Sequence, residues 1–241
     1  MKTHTNNIEF FTVKQLINKK IHLGHLTKDW NPSLAIVLYG SRNNIHFIDL
    51  QQTIFLFRRA LNFLYSSQKY NYKIAFCEKA LKPYQINYKV NLDKRIKYDN
   101  LLSAYAKHYN QFYINKNIRG GLFNAIKQLR TNNDRSNNLI IPKNSKLFPN
   151  ILFISNLEFF KSILFEVNKI NLISIGLVDT NNSFSKLTYP IPCNDDNNSS
   201  ISFFNQLIIK SLDTSSLLFD NNYLHKTRSK LINKYSNLFN N

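Results

Sequence analysis

The stretch that decides the fold is residues 151–178, ILFISNLEFFKSILFEVNKINLISIGLV. It contains two short apolar runs rich in β-forming residues, at 151–155 and 172–178, and such runs are typical of buried parallel strands. Between them, apolar residues recur at helical spacing: Leu157, Phe160, Ile163, Leu164 and Val167. Strand, helix and strand within about thirty residues predict a βαβ unit.

The sequence on both sides of this unit supplies further elements. Residues 73–76 predict another buried strand, and residues 34–48, LAIVLYGSRNNIHFI, predict a hairpin in which Gly40 and Asn43-Asn44 tolerate left-handed backbone angles. Apolar residues at helical spacing indicate two more helices. One follows Asp49 and has the apolar residues Leu50, Ile54, Phe57, Leu61 and Leu64. The other follows Asn194-Asp195-Asp196, a capping-type cluster, and has Ile201, Phe204, Ile208 and Leu212.

Together these elements predict an α/β fold of three layers, with a mostly parallel sheet of the flavodoxin or Rossmann-like kind covered by helices on both faces. We expect a basic N-terminal segment at 1–30, an α/β/α domain at 31–212 and a basic C-terminal tail at 213–241. Residues 131–146 are rich in Asn and Ser, which predicts a surface loop inside the domain.

The chain is strongly basic, and its positive charge is concentrated in the first half. It has 32 Lys and Arg against 14 Asp and Glu, a formal net charge of +18, and residues 1–130 hold 21 of those cations but only six of the acids. A protein with this excess repels itself unless a polyanion surrounds it, so we expect nucleic acid against the first half. No basic amphipathic helix, lipidation signal or apolar run of ~18 residues points to a membrane.

Cysteine and histidine spacing indicates neither a disulfide framework nor a metal site. Cys77 and Cys193 lie far apart, without a CxxC motif or Cys and His at ligand spacing. His22 and His25 are more typical of hydrogen-bonding or phosphate-contacting groups. The first residues, MKTHTNNIEFF, show no signal or transit pattern. We therefore expect no metal and no cofactor.

A parallel α/β sheet often binds a nucleotide beyond the carboxyl ends of its strands, so the loops there test whether the protein is an enzyme. The sequence has no GxGxxG, GxxxxGK[ST] or GxSxG motif, and its five Gly are too few for the usual phosphate cradle. Asp179 and the pair Asp195-Asp196 stand where catalytic or Mg²⁺-binding carboxylates would be expected. The favoured alternative is that residues 179–181 bond the loop backbone and residues 194–196 cap a helix, because no nucleophile or cofactor loop accompanies them.

Cations and the single Trp of the chain come together near the N-terminus, a mixture that contacts phosphates and stacks on unpaired bases: Lys19, Lys20, His22, His25, Lys28, Trp30 and Arg42. Trp30 fits core packing equally well. A second basic patch surrounds Gly120-Gly121, where RNA can approach the backbone closely: Lys116, Arg119, Lys127 and Arg130. Arg58 and Arg59 fit either a phosphate contact or an exposed helix face.

Several stretches resemble the bacterial-type ribosomal protein S2 family. The N-terminal signature of that family is similar to residues 22–27, HLGHLT, followed by Trp30-Asn31-Pro32, and its continuation is similar to residues 39–53, YGSRNNIHFIDLQQT. Further segments follow in the order of the family: Gly120–Asn124, Pro149–Phe153, Glu166, Gly176–Asn181 and Tyr189–Asp196. The resemblance covers roughly residues 10–210.

The resemblance implies a structural domain on the surface of the small ribosomal subunit, bridging head and body through small-subunit rRNA and neighbouring ribosomal proteins. It implies no catalysis and no small-molecule substrate. The family inserts a helical hairpin after the Gly-Gly segment, yet only about twenty-five residues intervene here, so the hairpin is shortened or absent. Other departures are Ile118-Arg119 for the expected Trp, 171–173 for Gly-Ile-Pro, and Cys193 for Gly.

An abundance of Asn, Lys, Ile, Phe and Tyr, with few Gly and one Met, is what AT-rich codons produce and indicates an organelle genome. We expect a mitochondrial protein, with a reduced plastid as the alternative. Two other functions stay open: a Mg²⁺- or nucleotide-dependent α/β hydrolase using Asp179 with Asp195 or Asp196, and a free RNA-binding regulator.

Overall fold

The computed structural model of the chain describes residues 11–79, 101–115, 139–140 and 148–213. The helices within these ranges are α1 (Val13–Asn18), α2 (Leu50–Lys69), α3 (Leu101–His108), α4 (Lys161–Lys169) and α5 (198–213). The strands are β1 (Leu23–Leu26), β2 (Leu38–Arg42), β3 (Ile45–Ile48), β4 (Ile74–Cys77), β5 (Phe112–Ile114), β6 (Leu139–Ile140), β7 (Ile151–Ile154), β8 (Ile173–Val178) and β9 (Tyr189–Pro192). Short 3-10 helices occupy Pro32–Val37 and Phe184–Lys186.

The main sheet has the strand order β6-β5-β4-β7-β8-β9, and its neighbours are parallel except for the edge pair β5 and β6. Strands β7 and β8 pair in register from Ile151 opposite Ile173 to Ile154 opposite Gly176, with α4 between them. The βαβ unit predicted from residues 151–178 is therefore confirmed. The antiparallel edge strand β6 lies inside the segment 131–146 that was predicted to be a loop.

Successive strand residues point to opposite faces of the sheet and build a core on each face. One core joins the sheet to α2, α3 and α5 through buried residues such as Phe57, Leu64, Phe76, Phe153, Phe204 and Ile208. The other joins it to α4 and the first 3-10 helix through residues such as Leu34, Ala75, Ile154, Ile163 and Val167. Helices on both faces of a mostly parallel sheet confirm the three-layer α/β/α prediction.

The predicted hairpin at 34–48 is correct in its second part only. Residues 32–37 form a 3-10 helix because Asn31 caps it through Oδ1, which accepts from the Ser33 amide at 3.0 Å, and Pro32 presets the first helical φ. Strands β2 and β3 then pair antiparallel around Asn43 and Asn44, which have φ of 51° and 59°. These two Asn make the left-handed turn, and the prediction that Gly40 shares this role is wrong.

Strand β1, which was not predicted from the sequence, joins β2 and β3 in a second, three-stranded antiparallel sheet of order β1-β3-β2. Strand β1 pairs with β3, Leu23 opposite Phe47 and Leu26 opposite Ile45. Ahead of it, α1 starts at a capping box on Thr12, and buried residues of the N-terminal region pack into the core of the main domain: Phe11, Leu16 and Ile21.

The last helix begins later than its predicted cap. Asn197 is the residue whose Oδ1 accepts from the Ser199 amide, at 3.1 Å, whereas Asn194 Oδ1 accepts from the amides of Asp196 and Asn197 and shapes the loop before it. The prediction that residues 194–196 cap α5 is therefore wrong, because these residues form a turn that precedes the helix and Asn197 is the cap. The described helices include none with both the length and the apolar character needed to cross a membrane.

Candidate nucleic-acid interface

Strand β1 and the residues after it lie against the carboxyl end of the main sheet. The His25 amide donates to Thr180 Oγ1 at 2.7 Å, and the Asn31 amide donates to the Thr180 carbonyl at 2.8 Å. On the other side, the Asn194 amide donates to the Ile21 carbonyl at 3.2 Å. These bonds attach the basic N-terminal region to the loops that follow β8 and β9.

The closest approach brings His25 between two carboxylates. Its Nδ1 lies 3.1 Å from Asp179 Oδ1 and its Nε2 lies 3.0 Å from Asp196 Oδ2, while Asn181 Nδ2 is 3.3 Å from Nε2. The Nδ1 contact has the length of a hydrogen bond but lacks the alignment of one, so we treat it as an ion pair. Contact with Asp179 is the main reason that the pKa of His25 rises to about 9; burial opposes it, and the charges of Asp196 and Asp195 add to it.

Asp179 is buried and held by the backbone of the two loops. Its Oδ1 accepts from the Thr180 amide and its Oδ2 accepts from the Asp195 amide at 3.2 Å. The prediction that Asp179 bonds the loop backbone is confirmed. Its position at the end of β8, which suggested catalysis, is explained by these bonds together with the contact to His25.

Asp195 is also buried, at 3% exposure, and its Oδ2 has no hydrogen-bond partner. Burial, followed by the charges of Asp179 and Asp196, raises the pKa of Asp195 well above its usual range. The Asp195 carbonyl accepts a hydrogen bond from Asn156 Nδ2 at 3.3 Å. Asn156 is the second residue after β7, so this bond connects the loop after β9 with the loop after β7. Burial likewise raises the pKa of the neighbouring Cys193 thiol, so that sulfur is a poor nucleophile.

Four of the cations predicted to bind RNA are exposed around the second sheet: Lys19, Lys20, Lys28 and Arg42. Lys19 and Lys20 lie between α1 and β1, on the side of the N-terminal end of β1. Lys28 and Arg42 lie at the other end, because the Thr27 amide donates to the Asn44 carbonyl at 2.9 Å beside the β2–β3 turn. A four-residue strand is about 13 Å long, so the two pairs flank this sheet along the direction of its strands.

The aromatic members of the predicted set pack on β3 and are half-buried. The His22 ring stacks on Phe47 with ring centres 5.8 Å apart, and Trp30 lies 5.1 Å from the ring of His46. Burial lowers the pKa of His22. His25 differs from the rest of the set, since both of its ring nitrogens face carboxylates. The patch Lys116, Arg119, Lys127 and Arg130 lies outside the described residues.

Comparison with known proteins shows the family to which the chain belongs. The family model described as Ribosomal protein S2 matches residues 16–142 and 124–215. The chain belongs to the ribosomal protein S2 family. Both halves of the molecule, including β1 and the loops after β8 and β9, fall within the matched residues of this S2 chain.

Individual S2 relatives match along most of the chain. The small ribosomal subunit protein uS2 of Ehrlichia ruminantium (strain Gardel) is 28% identical, covering 82% of this chain and 74% of the relative. The uS2 protein of Rickettsia akari is 26% identical, with 84% and 74% covered. The uS2c protein of Euglena gracilis is 28% identical, with 84% and 90% covered. The two family matches overlap at residues 124–142, within the interval in which the sequence predicts a shortened hairpin.

Proposed function

We propose that this S2 chain is a structural protein of a small ribosomal subunit that binds small-subunit rRNA and contacts neighbouring ribosomal proteins. The names of its relatives support the assignment to the small subunit. The observation that carries the RNA-binding part is the group of exposed cations around the second sheet: Lys19, Lys20, Lys28 and Arg42.

These cations suit a nucleic-acid backbone because they are accessible and spread over a length that spans several phosphates. Trp30 is half-buried against His46, so one part of it holds the sheet together and the remainder is available to an unpaired base. Lys116, Arg119, Lys127 and Arg130 form the second part of the proposed RNA surface, on the strength of their sequence alone. His25 contributes by positioning β1 through Asp179 and Asp196.

A structural role accounts for the acidic residues at the carboxyl end of the sheet better than catalysis does. Asp179 receives two backbone amides and faces His25, so it is engaged in holding two loops and one strand together. We propose that the protein has neither a catalytic centre nor a small-molecule substrate, and that it does not bind a membrane.

The proposed compartment is the mitochondrion, with a reduced plastid as the alternative. The bias towards Asn, Lys, Ile, Phe and Tyr supports an organelle genome. Bacterial relatives and a chloroplast relative of Euglena gracilis fit an organelle ribosome of bacterial type. The tail from 213 is proposed as a flanking region of the α/β/α domain, and the basic segment at 1–30 as an N-terminal extension that packs on the domain through Phe11, Leu16 and Ile21.

The proposal is tested by sedimenting an organelle lysate through a sucrose gradient at low and high salt and after ribonuclease treatment. We expect the chain to migrate with the small subunit and the monosome, and to leave them at high salt or once the rRNA is cleaved. A chain that stays at the top of every gradient is not a ribosomal component, and a free RNA-binding regulator would then explain its charge.

A further inference from the structure

We propose that Tyr39 is a base-stacking residue, through which the second sheet binds unpaired nucleotides of RNA in preference to a duplex. Tyr39 lies in β2 and is 85% exposed, the largest exposed fraction among the large hydrophobic residues that the structure describes. Its side chain takes part in no hydrogen bond or ring contact with another described residue. The ring therefore contributes little to packing within the described part of the chain and is accessible to a partner.

A β-bulge sets the position of Tyr39. Leu38 lies opposite Ile48 in β3, whereas Gly40 lies opposite Phe47, so β2 contains one residue more than β3 over this interval. Tyr39 is that extra residue, and β2 is an edge strand of the second sheet. Bulges are common at sheet edges and beside functional sites, where they change the direction of a side chain. The backbone thus departs from a regular strand at the residue that carries the exposed ring.

The backbone on either side of the bulge is held firmly. Val37 is buried, and its carbonyl accepts from the Asp49 amide at 2.9 Å. Ile48, the partner of Leu38 in β3, is buried as well. An aromatic side chain on a fixed backbone binds at a low entropic cost, because only its two χ angles have to be ordered.

The charge around the second sheet favours RNA as the partner. Residues 12–48 contain five Lys and Arg but only one acidic residue, Asp29. Arg42 follows Tyr39 by three residues along β2, which is about 10 Å at the rise of a strand, so a short single strand can reach both. An exposed ring beside a cation is typical of surfaces that bind single-stranded nucleic acid, where the cation contacts a phosphate and the ring stacks on a base.

The preference for unpaired nucleotides follows from the chemistry of stacking. The bases of a duplex are already stacked on one another, so a ring outside the duplex has no free base to contact. Stacking also involves no phosphate charge. Loss of the ring should therefore lower the affinity without changing its dependence on salt, unlike the loss of a phosphate-binding cation.

The experiment measures filter binding of the full chain to single-stranded oligouridylate, to a duplex of oligouridylate with oligoadenylate, and to small-subunit rRNA, each over a salt series. Tyr39→Ala should weaken oligouridylate binding about 5- to 100-fold at an unchanged salt slope, and leave duplex binding as it is. Tyr39→Phe keeps the ring and should bind like the wild type. Tyr39→Leu keeps an apolar side chain without a ring and should bind like Tyr39→Ala.

Tyr70→Ala is the matched control, because Tyr70 is also an exposed tyrosine, at 64%. It follows α2 and precedes β4, so it lies at the amino end of the main sheet, whereas the second sheet meets the carboxyl end. Tyr70→Ala should bind all three RNAs like the wild type. Equal affinity of Tyr39→Ala and Tyr70→Ala for oligouridylate, or an equal loss of duplex and single-strand binding in Tyr39→Ala, would overturn the inference.

The inference rests on the rRNA binding proposed above, and the same measurements separate the two. A wild-type chain that does not bind small-subunit rRNA would overturn both. A wild-type chain that binds this rRNA no more tightly than Tyr39→Ala does would overturn the stacking inference alone. If Tyr39→Ala keeps its affinity for RNA but leaves the small subunit in the sucrose gradient, the ring contacts a neighbouring protein and the stacking inference is again wrong.

Discussion

Gly24 of β1 packs directly on Thr180, which follows β8 at the carboxyl end of the main sheet. A Cβ atom at Gly24 would overlap Thr180 Cγ2 and come within 2.9 Å of Oγ1. Thr180 has little freedom to move, since its Oγ1 accepts from the His25 amide and its carbonyl accepts from the Asn31 amide. At the scale of single residues, the absence of a side chain at Gly24 is therefore what lets the two sheets meet.

Gly24→Ala should destabilise the protein by about 1–3 kcal/mol, the usual cost of overpacking a close contact. Urea unfolding measures the change. Adding Thr180→Ser to Gly24→Ala removes Cγ2 while keeping the hydroxyl, and should recover part of the loss. Gly40→Ala is the matched control, because a Cβ there meets nothing within 4 Å. Equal losses for the two alanine variants would contradict the packing account.

At the scale of elements, the helices α1 to α4 end in the same way. The second residue beyond each helix has a left-handed φ: Lys20 (56°), Asn71 (54°), Asn110 (51°) and Asn171 (56°). The next amide then donates back to the last turn, as Tyr72 does to Ser67 at 3.2 Å and Leu172 to Val167 at 3.1 Å. This is the Schellman arrangement, for which Gly is the usual residue and Asn the common substitute. This chain, which has five Gly, uses Asn at three of the four positions and Lys at the fourth.

Asn171→Ala should cost about 1 kcal/mol, because a left-handed backbone is unfavourable for residues other than Gly, Asn and Asp. Asn168→Ala changes the same residue type on the exposed side of α4, and should be neutral or slightly stabilising because Ala favours helices. Thermal unfolding of the two variants, with Asn171→Gly beside them, checks the argument. The account fails if Asn171→Ala is as stable as Asn168→Ala.

At the scale of the whole molecule, the charge of +18 sets how the protein meets a polyanion. Most of the charge belongs to residues 1–130, and within the described part of that half the second sheet exposes four of the predicted RNA-binding cations. Helix α4 lies on the other side of the main sheet from α2 and exposes Lys161 and Lys169. Substitutions on the proposed RNA surface and on α4 can therefore remove the same charge from two different faces of the protein. Their comparison separates the effect of net charge from the effect of the position of that charge.

Replacing Lys28 and Arg42 by Ala should weaken binding to small-subunit rRNA and reduce the slope of log K against log salt by about 0.7–0.9 per lost phosphate contact. Lys161→Ala with Lys169→Ala removes the same charge from α4 and should leave the slope almost unchanged. Filter binding over a salt series measures both. Equal slopes for the two double variants would mean that net charge alone, without a defined surface, governs binding.

The parts of the fold that depend on local periodicity could be predicted from the sequence. The βαβ unit at 151–178, helix α2 after its Asp49 cap and the pairing of β2 with β3 were all predicted correctly, because spacings of two and of three to four residues report directly on which side of an element is buried. The cations proposed to bind RNA were selected by residue type and by the excess of positive charge in the first half, which charge counting detects.

The sequence by itself determined the fold class, the main elements and the basic character of the N-terminal half. Only the tertiary structure decided that residues 23–26 form a strand, since their partner β3 lies some twenty residues away and LGHL has no clear alternation. It also decided that His25 meets Asp179 and Asp196, more than 150 residues later. Contacts of this kind depend on where the N-terminal region crosses the carboxyl end of the main sheet. The spacing of residues along the sequence does not determine that crossing, because it reports only on neighbours within one element.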